Sequence, residues 1–186
     1  LEELIKERNS VDECVNFIAT ELQSAIDSGD LLQRAGKANL GRMDVATCMA
    51  LKAKLYLYWA SPLFNGNTDF FNVKDCYGNQ LVSQTYDETK WAKAAAAAKD
   101  VIELAKASGL YELYVVAPKA TVLPSQRPPH NALYSDKNYP EGWADVDPLL
   151  SYKSNFDGTI LGSKNPELIF TDFRYRTGSC HYIHVF

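Results

Sequence analysis

The sequence predicts a mainly α fold, built from tetratricopeptide-like helical hairpins with long aromatic-rich loops and one or two short strands. Three observations lead there. Residues 1–110 carry apolar positions at helical spacing. Pro62 aside, the chain's eight prolines all fall after residue 110, where that spacing fades. Aromatic residues make up 12% of the chain, with 3 Trp, 11 Tyr and 8 Phe, more than a small core requires.

The first helix is expected over residues 11–27. Ser10 and Glu13 stand at capping-box spacing, and Val11, Cys14, Val15, Ile18, Leu22, Ala25 and Ile26 form one apolar stripe. Ser28-Gly29-Asp30 supplies its stop. The second helix is expected over residues 43–60, after Gly41. Its polar residues are sparse (Asp44, Thr47, Lys52, Lys54), which places it centrally, packed by several neighbours. It ends at Ser61-Pro62, because a residue before proline is disfavoured in the helical conformation. The third helix is expected over residues 87–107, capped by Asp87 or by Thr85 with Glu88. Trp91, Ala94, Ala95, Ala98, Val101, Ile102 and Ala105 form its apolar face, and Gly109 ends it. Tyr56, Tyr58, Trp59 and Trp91 are read as core residues on these helices.

Residues 61–84 form a connection long enough to imply a function, with a turn signal at Tyr77-Gly78-Asn79 that fits a short hairpin. Residues 111–186 read as ordered loops packed on the helical part, all within one domain. Asp157-Gly158 marks a tight turn, and residues 167–173 are the best strand.

Composition excludes several classes. The apolar share of 46% and charged share of 23% are those of a globular protein. A net charge of −4 provides no basic stripe for phosphates, so no nucleic-acid partner is expected. No apolar run is long enough to span a bilayer. Cys14, Cys48, Cys76 and Cys180 match no zinc or redox spacing; Cys14 and Cys48 fall on apolar stripes and read as buried thiols. Asp145 with Asp147 does not by itself give a hydrolase carboxylate pair, and Cys180, His181 and His184 read as structural more readily than as metal ligands. The stretch from Asn65 to Asp69 begins like a calcium loop, but Phe70 and Cys76 break that pattern. No metal, no cofactor and no enzymatic activity are expected. Both ends of the chain read as cut from a longer protein.

The run Ala50-Leu51-Lys52-Ala53-Lys54-Leu55-Tyr56-Leu57-Tyr58-Trp59-Ala60-Ser61-Pro62-Leu63-Phe64-Asn65 resembles the SusD/RagB family, in which an alanine-rich helix ends in a similar turn. Trp91 to Ile102 followed by Gly109-Leu110-Tyr111, Asn165-Pro166-Glu167-Leu168-Ile169-Phe170, and Gly41-Arg42 resemble further parts of it, in the same order. The resemblance implies an outer-membrane lipoprotein on the cell-surface side, anchored through a segment absent from this chain. It implies capture of oligosaccharide, without catalysis, as the lid of a TonB-dependent transporter. The alternatives are a capture protein for peptides and a tetratricopeptide-type protein-interaction scaffold.

A sugar ring offers an apolar C–H face to an aromatic ring and hydroxyls to polar groups. Residues 134–152 hold that mixture best. Trp143 is the expected stacking platform, followed by Tyr139, Tyr134 and Tyr152, with Asp136, Lys137, Asn138, Asp145 and Asp147 interleaved. The competing reading is that these aromatics pin the loop to the helices. No invariant binding motif carries over from the family.

Overall fold

The computed structural model describes residues 7–35, 39, 41–117, 147–160, 164–171 and 182–183. Three long helices come first: α1 (Val11–Asp27), α2 (Val45–Ala60) and α3 (Thr89–Ser108). A single turn of 3-10 helix, Thr68–Phe70, lies between α2 and α3. A short helix, α4 (Pro148–Ser154), and two two-residue strands follow, β1 (Phe170–Thr171) and β2 (Tyr182–Ile183). The strands pair antiparallel, with Phe170 opposite Ile183. The chain forms two compact units, Leu1–Leu110 with Ile169–Phe186, and Tyr111–Leu168.

α1 has the expected bounds and cap. The Ser10 hydroxyl accepts the Glu13 N–H, and the Glu13 carboxylate accepts the Ser10 N–H at 2.7 Å. That backbone donor, then the Ser10 hydroxyl, holds the Glu13 carboxyl below its ordinary value. Val15 and Ala19 are buried, whereas Ile18 and Cys14 are exposed, so the buried stripe is narrower than the pattern predicts and Cys14 is not a core thiol.

α2 starts two residues later than expected because Asp44 is its cap, not its first turn. The buried Asp44 carboxylate accepts the Thr47 N–H at 2.8 Å and the Thr47 hydroxyl at 2.6 Å; its other oxygen accepts the Ala35 N–H. One side chain thus ends the preceding loop and starts the helix. α2 packs against both α1 and α3. Its deep burial is confined to its first six residues and its last two, however: Leu51, Leu57 and Tyr58 are exposed and Tyr56 is half-buried, against the expectation of core packing for both tyrosines, while Trp59 is buried as expected. Cys48 is buried as expected, and burial followed by the nearby Asp44 charge pushes its thiol up.

The turn after α2 is fixed by Asn65. Its buried carboxamide accepts the Asp87 N–H at 2.8 Å and donates to the carbonyls of Asp87 and Ala60. It therefore ties the end of α2 to the start of α3, a structural role. At Gly66 (φ +78°) a Cβ would stand 2.7 Å from the Tyr86 nitrogen, so only glycine fits. Farther along, the hairpin expected at Tyr77–Asn79 is reduced to one antiparallel bridge, Lys74 with Gln80. Asp75 closes it by accepting from the Tyr77 and Asn79 N–H groups and from the Asn79 carboxamide. Burial alone would raise the Asp75 carboxyl, but hydrogen bonds from Asn79, Tyr77 and Gly78 outweigh it and lower it.

α3 is introduced by Asp87, whose carboxylate accepts the Thr89 N–H at 2.9 Å; Glu88 makes no side-chain cap. Hydrogen bonds from Thr89 lower the Asp87 carboxyl. Gly109, left-handed at φ 62°, ends the helix. The buried face runs Lys90, Ala94, Ala97 and Val101. Trp91 and Ile102 lie outside it and are exposed, against the expectation that both are core. A lysine where an apolar residue would be expected shifts that stripe by one position, and Lys90 is buried because it has partners. Its ammonium lies 2.8 Å from the Asp12 carboxylate and 4.5 Å from the centroid of the Trp59 ring, whose indole N–H also donates to Asp12. Asp12 of α1, Trp59 of α2 and Lys90 of α3 thus join the three helices at one point.

Candidate functional site

Of the residues expected to form a sugar platform, Trp143, Tyr139 and Tyr134 lie outside the described residues. Tyr152 lies within them, on α4, with 69% of its surface open to water. Phe156, one helical turn on, is its partner. The two ring centroids are 4.9 Å apart with planes inclined by 49°, the tilted contact that aromatic pairs prefer. Leu149, also exposed, shares that face at i, i+3 and i+7 spacing. Lys153 and Asp157, each next in sequence to one of the two aromatics, are also exposed. Hydrogen bonds from Thr159, with the Lys153 charge as a smaller cause, hold the Asp157 carboxyl below its ordinary value, so it is ionised at neutral pH.

The rest of the unit explains why this face stays put. Asp147 caps α4 through the Leu150 N–H at 2.8 Å, with Pro148 in the first turn. Beneath the rings lie buried polar groups: Ser151, Asn155 and Asn165. The Ser151 hydroxyl accepts the Val116 N–H at 2.9 Å and donates to the Asp147 carbonyl. Asn155 donates to the Glu167 carboxylate at 3.1 Å and accepts from the Asn165 carboxamide at 2.8 Å. The other Glu167 oxygen accepts the Tyr114 N–H at 2.7 Å. The buried side chains of Ser151, Asn155 and Asn165 all find hydrogen-bond partners in this net, so their burial costs little.

One expectation is corrected here. The strand expected over residues 167–173 starts later than predicted: Glu167, Leu168 and Ile169 are outside it and, among the described residues, Phe170–Thr171 is strand, since Asn165 and Glu167 are engaged in the net beneath α4; Asp172 and Phe173 lie outside the described residues. Asp147 serves as the cap of α4; Asp145 lies outside the described residues, as do Cys180, His181 and His184. The sequence reading also missed Phe156. The signal was present, since Asp147-Pro148 is a helix start and Tyr152 and Phe156 are one turn apart.

A second surface lies in the other unit. α1 and α2 leave between them an apolar groove of about 300 Å³, walled by Val11, Cys14, Val15, Leu55, Tyr58, Trp59 and Phe64, with Asn9 at its edge. Lys93 stands 5.2 Å from the centroid of the same Trp59 ring. Among the described residues, no three His, Cys, Asp or Glu side chains gather as metal ligands, and no helix is long and apolar enough to cross a membrane.

No protein-family model and no curated protein matches the chain. Among solved structures it is similar to BT4246 from Bacteroides thetaiotaomicron, a protein of unknown function, at 33% identity over 64% of this chain with a TM-score of 0.53. A selenomethionine BT4246 structure matches over the same share at 32% identity and a TM-score of 0.50. The match takes in 23% of BT4246, so the chain spans less than a quarter of that protein's length.

Proposed function

We propose that this chain belongs to a SusD/RagB-type surface protein that captures oligosaccharide for a TonB-dependent transporter without transforming it. The observation that carries the reading is the exposed Tyr152–Phe156 pair on a face held by a satisfied polar net. An aromatic pair left open to water loses the gain of burial. It also offers the flat apolar surface on which a sugar's C–H face stacks. Lys153 and Asp157, next to it in sequence, supply a donor and an acceptor for hydroxyls. The ordered sequence resemblance and the likeness to a Bacteroides protein support the same setting. In this reading the protein is an outer-membrane lipoprotein, and Trp143, Tyr139 and Tyr134 extend the platform.

The test is calorimetric titration of the full-length protein with a panel of oligosaccharides, beside its Tyr152→Ala and Phe156→Ala variants. The reading expects one glycan class to bind, with affinity at least tenfold weaker in either variant and an unchanged melting temperature. Binding unaffected by both variants removes the platform. No binding to any glycan removes glycan capture.

The apolar α1–α2 groove favours a second reading, a tetratricopeptide-type scaffold for a protein partner; peptide capture is the third. Both predict a polypeptide ligand that is indifferent to Tyr152→Ala and sensitive to Leu55→Asp.

A further inference from the structure

We draw no further inference here: the strongest candidate, the apolar groove between α1 and α2 walled by Cys14, Leu55, Tyr58, Trp59 and Phe64, carries none because nothing in the structure shows what covers it.

Discussion

The helical region before residue 110 and the stretch around α4 are stabilised by different means. In the first, long helices bury apolar stripes against one another, and an ionic junction, Asp12–Lys90 over Trp59, pins all three. In the second, a seven-residue helix buries two serines and is held by hydrogen bonds among Ser151, Asn155, Asn165 and Glu167. Packing tolerates imprecise partners, whereas a polar net loses value once one member is missing.

The largest effect should come from the ionic junction. Lys90 is only 3% exposed in its side chain, so Asp12→Ala strands a buried charge. Because Asp12 itself is 42% exposed, the loss should fall at the low end for broken buried pairs, about 3 kcal/mol by urea denaturation. Adding Lys90→Met should recover most of it; a double variant no better than the single would mean that the carboxylate acts through Trp59 alone.

Glycines separate the regions next. Gly66→Ala forces a Cβ into the Tyr86 backbone at 2.7 Å and keeps a left-handed residue, for a cost of about 2–3 kcal/mol. Gly158→Ala, at φ +80° with open space around it, should cost only about 1 kcal/mol. Equal costs would show that the turn at Tyr86 yields.

Within the polar net, Asn165→Ala leaves the Asn155 carboxamide oxygen and the Glu167 N–H without their present partner. The expected loss is about 2 kcal/mol. A loss below about 0.5 kcal/mol, the usual range for surface changes, would mean that water replaces the side chain freely.

Among the described residues, more of the carboxyls that acid would neutralise at a cost lie in the first region. The carboxyls of Glu13, Asp75 and Asp87 there, and of Asp157 in the second, are lowered in the folded protein. Their stabilisation is therefore present above the ordinary carboxylate value and is lost as pH falls through the lowered one. Replacing Glu13, Asp75 and Asp87 together by their amides should flatten the fall of the urea midpoint between neutral pH and pH 3 more than Asp157→Asn alone. The smallest effect is chemical: peptide mapping after brief alkylation should find Cys14 and Cys76 modified and Cys48 spared.

The expected positions of α1, α2 and α3 agree with the observed bounds to within two residues because local signals set them. The capping box at Ser10, Pro62 and Gly109 act through their own backbone conformations and need no distant partner. Which residues those helices bury was less accessible. Cys14, Tyr58, Trp91 and Ile102 lie on apolar stripes yet are exposed, while Lys90 is buried. Spacing gives the angle of a side chain about its helix axis; whether a neighbour covers that angle depends on how α1, α2 and α3 cross. Only their packing brings Asp12 and Trp59 to Lys90, 78 residues from Asp12. The α4 face divides the same way: Asp147-Pro148 announces a helix, and helical spacing pairs Tyr152 with Phe156. That this pair faces water follows from Asn165 and Glu167, which reach Asn155 only in the folded chain and hold α4 by its other side.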